Sequence, residues 1–153
     1  MKKEFELLNN RNCIEYLQFL SKHNLSFSLF CEKDKIHFSP KLPEEIYKKF
    51  GNFVLFVLAG YTLESLIIHK ESVQFEAGFG HDNISSIVQV HLKGIIQIIV
   101  KDRTSTDNVA LFSRFDANRL FIDHEEQELL NSKEALFSNS KNRAILENLH
   151  NPL

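Results

Sequence analysis

The chain has 153 residues, a formal net charge of −2 and a pI near 6.4, which is enough for one domain with a hydrophobic core. This charge balance argues against a nucleic-acid-binding protein, because phosphate contacts need a clustered basic surface. Phenylalanine is the unusual residue, with 14 copies against no tryptophan. Such a set either fills the core or leaves aromatic rings exposed to line a groove for a peptide or for bases.

Neither a signal peptide nor a membrane span is expected. The N-terminal lysines are not followed by an apolar stretch, as a secretory signal would require. The longest apolar run, residues 53–59, is far too short to cross a bilayer. Cys13 and Cys31 lack CxxC spacing, which predicts buried thiols in a reducing compartment. We therefore expect a cytoplasmic protein with no membrane partner.

The first predicted element is a helix over residues 10–23, with Asn9 or Asn10 as its cap and Asn24 as its end. Its apolar arc is wider than one face of a helix. The arc predicts that the helix packs both on its own sheet and on a second subunit. The residues predicted to form this homodimer interface are Ile14, Leu17 and Leu20.

Eight segments after this helix have an alternating or continuously apolar pattern, and some six or seven strands are expected from them. Residues 32–35 are predicted to form a hairpin turn, and residues 44–50 a short helical turn that ends at Gly51. Residues 53–59 are apolar throughout, which favours a central strand covered on both faces. The segments of strand character are residues 25–31, 36–38, 53–59, 62–69, 72–78, 88–92, 95–100 and 109–112.

Residues 72–100 are the most informative segment. Val73, Phe75, Ala77 and Phe79 alternate with polar or small residues, which predicts a half-buried strand. A polar turn over residues 80–83 breaks the alternation, and a second alternating strand follows. The segment has no catalytic triad, no metal-ligand spacing and no phosphate-binding glycines, so it favours a binding surface over a catalytic one.

The character of the chain changes at Asp116, and we predict two parts, residues 1–115 and residues 116–153. Acidic residues over 123–128 suit the first turn of a helix, where they interact favourably with its dipole. Residues 142–150 repeat the helical spacing more weakly. The second part is therefore predicted to be a helical tail.

The element order and two segments resemble the SspB family, the stringent-starvation adaptors that deliver tagged proteins to the ClpXP protease. The family pattern V-x-L-S-x-x-L matches residues 36–42, which read IHFSPKL. The patterns V-x-F-x-x-x-F-G-G-I-P and V-x-V-P-L match residues 73–80 and 88–92. The similarity covers about residues 13–100. The chain departs from the family in the longer polar loop over residues 80–87 and in His91, which replaces a proline.

The resemblance implies a mainly β, α+β fold, namely an Sm-like barrel of antiparallel strands after an N-terminal helix. It implies a non-enzymatic adaptor without cofactor or metal, which captures ssrA-type tagged peptides by strand-edge hydrogen bonds and side-chain pockets. The implied groove residues are Ser39, Leu42, Phe75, Ala77, Gly78, Phe79, Gly80, Val88 and Val90. Docking on the ClpX unfoldase would use the tail residues Arg143, Ile145 and Leu146. The tail departs from the family in having only a brief acidic stretch.

Two other classes of protein remain open. An enzyme would use His81 with Asp82, the best acid–base candidates, although a histidine in a solvated loop is much the more common explanation. An Sm-like nucleic-acid-binding module would need a basic stripe beside aromatics. The available stripe is thin and is diluted by acids; its members are Lys93, Lys101 and Arg103, with Asp102 and Asp107 between or beside them.

Overall fold

A computed structural model describes residues 1–138 of the chain. It shows an N-terminal helix, eight strands in two antiparallel sheets and a C-terminal helix, with short helices between them. In chain order the elements are α1 (Lys2–Lys22), β1 (Phe27–Glu32), β2 (Ile36–Ser39), α2 (Glu44–Tyr47), β3 (Phe53–Leu58), α3 (Gly60–Glu64), β4 (Ile67–Ile68), β5 (Ser72–Phe79), β6 (Ile84–His91), β7 (Ile95–Lys101), β8 (Asn108–Ser113), α4 (Ala117–Leu120) and α5 (His124–Ser138).

The strands form two four-stranded sheets. The first sheet has the order β3-β1-β7-β8 and the second the order β2-β6-β5-β4. The predicted α+β class and the two antiparallel sheets are confirmed. The sheets do not close into the barrel that the resemblance implied. The predicted hairpin between the first two strands is also wrong, because β1 pairs with β3 and β7 whereas β2 pairs with β6.

The core lies where the inward faces of the two sheets meet. Along β1 and β3 alternate side chains are buried, as expected for strands with one face on a core. Aromatic rings join the sheets: the centroids of Phe56 on β3 and Phe75 on β5 lie 5.2 Å apart, edge to face. This geometry is the favoured one for aromatic pairs, and it shows that many of the phenylalanines serve the core.

Helix α1 begins well before the predicted start, at Lys2, and ends as predicted before Asn24. Asn24 has a φ of +52°, in the left-handed region that asparagine tolerates. Leu17 and Leu20 are buried in the core of their own chain, and Ile14 packs against that core. The assignment of Leu17 and Leu20 to a dimer interface is therefore wrong, whereas that of half-buried Ile14 stays a prediction. The buried stripe satisfies the chain's own sheets, so it gives no evidence for a second subunit.

Arg114 ties β7, β8 and α1 together from a half-buried position after β8. Its Nε donates to Ile95 O and its Nη2 to Leu92 O, both at 2.9 Å. Its guanidinium also lies near Cys13 on α1 and interacts with it electrostatically. Burial lowers the pKa of the Arg114 guanidinium. Burial also raises the pKa of the Cys13 thiol to about 12 and that of Cys31 further, so both cysteines are buried, free thiols as predicted.

The polypeptide divides into two compact units. One comprises Glu6–Phe115, and the other comprises Met1–Phe5 with the described residues from Asp116 onward. Within the smaller unit Lys2 Nζ lies 3.5 Å from Asp123 and forms an ion pair with Glu126. Helix α5 carries acidic residues in its first turn, as predicted. The predicted docking residues Arg143, Ile145 and Leu146, and the helical turns over residues 142–150, lie outside the described residues.

Candidate peptide-binding site

A groove of about 310 Å³ runs beside strand β2 and faces helix α2. β2 is an edge strand, because β6 pairs with one side of it and no described strand pairs with the other. The groove therefore combines a free strand edge with an apolar wall and a charged rim. Its lining residues are Ile36, His37, Phe38, Lys41, Leu42, Glu44 and Tyr47.

The segment that follows β2 is held in place by a buried hydroxyl. Ser86 on β6 is buried, and its Oγ donates to Pro40 O at 2.9 Å. Leu42, two residues further on, is buried against the core. Because both ends of this short segment are fixed, the groove between β2 and α2 is formed before any ligand arrives. Preorganisation of this kind lowers the entropic cost of binding.

The Tyr47 ring is fixed from two directions. Lys33 Nζ lies 4.1 Å from the centroid of the ring, a cation–π contact, and also donates to Phe50 O at 3.1 Å. On another side Phe38 meets Tyr47 edge to face at 6.1 Å. A cation–π contact of this geometry contributes about 0.5–1 kcal/mol where it is exposed. Tyr47 is thus a rigid aromatic side chain at the wall of the groove.

An aromatic cluster supports this wall from within. Phe38 lies at its centre, 5.5 Å from Phe79, 6.0 Å from Phe50 and 6.4 Å from Phe56. Phe79 comes from the end of β5, so the cluster connects both sheets and α2. The predicted groove residue Phe79 therefore belongs to the half-buried support of the groove. Ser39 is exposed beside the groove, and Ala77 is half-buried against the core.

Three of the predicted groove residues lie in the core. Phe75, Val88 and Val90 are 1%, 0% and 0% exposed, and Phe75 stands opposite Val88 in the β5–β6 ladder. Their period-2 pattern correctly predicted strands, but the pattern alone does not say which face is covered. Their assignment to the surface of a groove is wrong, because a bound peptide cannot contact side chains that the two sheets enclose.

Gly78 and Gly80 are both exposed at the end of β5. A Cβ on Gly78 would collide with the side chain of Asn83, and a Cβ on Gly80 would lie 2.7 Å from Ile46 Cδ1. Gly80 also has a φ of +72°, a conformation that favours glycine. These features show that both glycines shape the β5–β6 hairpin. Their contact with the backbone of a ligand stays a prediction.

A hydrogen-bonded cluster lies on the outer face of the second sheet, around Glu76. Tyr61 Oη donates to Glu76 Oε2 at 2.8 Å, and Ser85 Oγ donates to Oε1 at 2.9 Å. Glu76 N donates to Ser65 Oγ at 2.9 Å. The hydrogen bonds from Tyr61 and Ser85 lower the pKa of Glu76, and the bond to Glu76 raises the pKa of Tyr61. The cluster fastens α3 and the turn after it to β5.

The residues proposed for acid–base chemistry lie at the surface. His81 and Asp82 are exposed in the turn between β5 and β6. Within residues 1–138 no group of three His, Cys, Asp or Glu side chains is arranged to hold a metal ion. The described helices also include none that is long and apolar enough to cross a membrane.

Comparison of the chain with models of known protein families gives no match. A search of curated protein sequences gives no significant match either. Any functional assignment must therefore come from the geometry of the groove and from the sequence resemblance.

Sequence reasoning found part of the groove and missed the rest. The segment over residues 36–42 was recognised, and its Ser39 and Leu42 were assigned to the site. Tyr47 and Glu44 were placed in a helical turn without a function. The signal that could have found them was the helical turn itself. This short helix carries an aromatic residue and follows a segment bounded by two prolines, so it could have been expected to lie beside the preceding strand and form a wall of the groove.

Proposed function

We propose that this protein is a non-catalytic peptide-binding protein that captures an extended segment in the groove beside β2. The observation that carries the proposal is the coincidence of a free strand edge with a preformed apolar wall. An added strand gains affinity from main-chain hydrogen bonds and specificity from alternate side-chain pockets. In this groove β2 would supply the main-chain hydrogen bonds, and Leu42 and Tyr47 would line the side-chain pockets.

The charges of the rim fit a peptide with polar groups on either side of an apolar side chain. Lys41 and Glu44 carry opposite charges and are both exposed, and His37 is exposed on β2 itself. Such rim charges select orientation and speed association more than they add affinity. A groove of about 310 Å³ accommodates only a few residues, so the affinity of one site is expected to be modest.

A finer proposal rests on the resemblance to the SspB family. In it, the bound peptide is an ssrA-type tag, the protein acts in the cytoplasm, and the tail after residue 138 brings the complex to the ClpX unfoldase. A tether of this kind raises the effective concentration of a weakly bound substrate. Truncation after Ser138 is expected to abolish the stimulation of ClpXP degradation of a tagged substrate. Unchanged delivery would exclude a role for the tail residues.

The binding proposal is tested by fluorescence anisotropy with a labelled ssrA-type peptide. Tyr47→Ala is expected to weaken binding at least about tenfold, since buried aromatic anchors dominate such interfaces. Lys41→Glu is expected to change the association rate and its salt dependence. Lys101→Glu, an equally exposed lysine on the first sheet, is the matched control and is expected to bind as wild type.

The strand-addition geometry has its own test. Single N-methylation of successive peptide amides removes one hydrogen-bond donor at a time. If the peptide pairs with β2, only every second methylation weakens binding, because alternate amides point toward the partner strand. Affinity that is unaffected at every position, or that is insensitive to Tyr47→Ala, would place binding elsewhere on the protein.

A further inference from the structure

Strand β3 is an unpaired edge of the first sheet. It pairs with β1 over all six residues without a register shift, and its other side faces no strand within residues 1–138. The N–H and C=O groups along such an edge are a template for pairing with another strand. The edge lies in a different sheet from the groove beside β2.

β3 is more apolar than a strand with one exposed face requires. Phe53–Leu58 reads FVLFVL, without a polar residue. Val54, Phe56 and Leu58 are buried, whereas Phe53, Leu55 and Val57 are 47%, 55% and 64% exposed. Continuously apolar strands are typical of strands covered on both faces. The prediction of a doubly covered central strand is thus wrong for one chain, because β3 lies at an edge of its sheet and has its outer face exposed.

The other edges of the two sheets are shorter or less regular than β3. β2 has four residues and is followed by Pro40, and β4 has two residues. β8 pairs with β7 through a register shift between Ile98 and Ile99. A short or bulged edge limits the pairing of one whole sheet with another, although a four-residue edge such as β2 still has room for a short peptide. Among the described edges, β3 alone combines six residues with regular pairing.

We propose that β3 pairs antiparallel with β3 of a second copy of this chain across a two-fold axis. Residues that face each other in an antiparallel ladder lie on the same face of the sheet. An axis through Leu55 places it opposite Leu55 of the other copy, and Phe53 opposite Val57. All of these side chains are apolar. The two-fold axis therefore does not place like charges opposite each other, which a self-complementary interface must avoid. The pairing joins two four-stranded sheets into one of eight strands.

The residues that flank β3 complement each other in charge. Exposed Lys48 and Lys49 precede the strand, and exposed Glu64 follows it. Antiparallel pairing brings the start of one strand to the end of the other, so the basic flank of each copy approaches the acidic flank of its partner. Opposite charges arranged in this way set orientation and favour encounter. This pattern is self-complementary, which favours a second copy over an unrelated peptide.

The outer surface extends beyond the strand itself. Phe30 on β1 stacks on Phe53 with ring centroids 5.0 Å apart, and half-buried Ile99 on β7 lies beyond it, opposite Ser28 of β1. Phe30 and Ile99 therefore extend the apolar surface next to β3, among the polar side chains of Ser28 and Gln97.

Sedimentation of the full-length protein over a range of concentrations tests the proposal. The wild type is expected to have twice the chain mass of 17.8 kDa. Leu55→Lys is expected to have the mass of one chain, because it places two ammonium groups face to face at the axis. Val109→Lys, at an exposed site on edge strand β8, is the matched control and should remain dimeric. A monomeric wild type, or a dimer that persists in Leu55→Lys, would overturn the proposal.

Amide hydrogen exchange of the wild-type protein tests the pairing of β3 without any substitution that could disturb the fold. If β3 is paired on both sides, consecutive amides of the strand are protected from exchange. If β3 is a free edge, protection alternates along the strand and the proposal fails.

Charge reversal tests whether the charged residues that flank β3 stabilise the dimer. Lys49→Glu is expected to raise the dissociation constant of the dimer about tenfold, and the double variant Lys49→Glu/Glu64→Lys to restore it. A dissociation constant that neither change alters would contradict the antiparallel arrangement.

Discussion

Replacing Arg114 by methionine is expected to destabilise the larger unit strongly, although the side chain keeps its length and much of its volume. Arg114 donates to two carbonyl oxygens, of Leu92 and of Ile95, at 2.9 Å each. Methionine offers neither donor. Leu92 O keeps its bond from Ile95 N, so the main loss is the partner of Ile95 O. A part-buried group that loses its partner costs about 1–3 kcal/mol, and we expect a loss of about this size in the free energy of unfolding.

Urea denaturation followed by circular dichroism measures this loss. With a denaturant dependence of about 2 kcal/mol per molar urea, the midpoint should fall by roughly 0.5–1.5 M. Arg103→Met, in an exposed loop, is the control for removal of a positive charge. It should shift the midpoint by no more than the few tenths of a kcal/mol typical of surface changes. An Arg114→Met midpoint equal to that of the control would refute the assignment of Arg114 as a structural tie.

Three further changes test other parts of the fold. Gly80→Ala should lower the free energy of unfolding by about 1–2 kcal/mol, because φ is +72° there. Gly51→Ala, where an added Cβ has nothing within 4 Å, should lower it far less. Equal melting temperatures of the two variants would contradict this. Ser86→Ala should cost about 1–2 kcal/mol and weaken peptide binding through Pro40, which anisotropy would show. The raised pKa of Cys13 contributes stability that is fully present below pH 9 and is lost as the pH rises toward 12. The pH dependence of unfolding over that window should therefore be shallower in Cys13→Ala by about 1.4 kcal/mol per pH unit, and equal slopes would contradict the burial.

The local pattern of the sequence predicted most of the elements correctly. Strands β5, β7 and β8 lie within one residue of their predicted bounds, and the turn between β5 and β6 was predicted. β6 begins at Ile84, however, so residues 84–87 form strand and the predicted longer loop over residues 80–87 is wrong. Residues 62–64, predicted to begin a strand, lie in α3 instead. The helical start was missed because the buried stripe of Cys13 and Leu17 continues toward the N-terminus through a polar residue, Asn9. Asn9, expected as a cap, is instead buried within the helix and donates to Phe115 O at 3.2 Å.

The faces that the strands present to the core could not be predicted in the same way. An alternating pattern gives two sets of residues, and only the packing of the second sheet decides which set is covered. This is why Val88 and Val90 were assigned to a groove and lie in the core. The surroundings of the glycines could not be predicted for a related reason. The space beside Gly78 depends on Asn83, five residues away, whose side chain lies where a Cβ would be.

Filling the groove is expected to leave the proposed dimer intact, and this result separates the two proposals. β2 and β3 are edges of different sheets, so a peptide added to β2 does not compete for the backbone groups of β3. Sedimentation at saturating concentrations of labelled peptide should therefore show two copies of the chain and two bound peptides. Leu55→Lys should bind one peptide per chain with the wild-type intrinsic affinity, since Leu55 faces away from the core and from the groove. If peptide instead splits the wild-type dimer, and Leu55→Lys loses peptide binding, then β3 and not β2 is the strand to which peptides add. That outcome would refute the assignment of the groove, whereas loss of the dimer alone in Leu55→Lys would leave it standing.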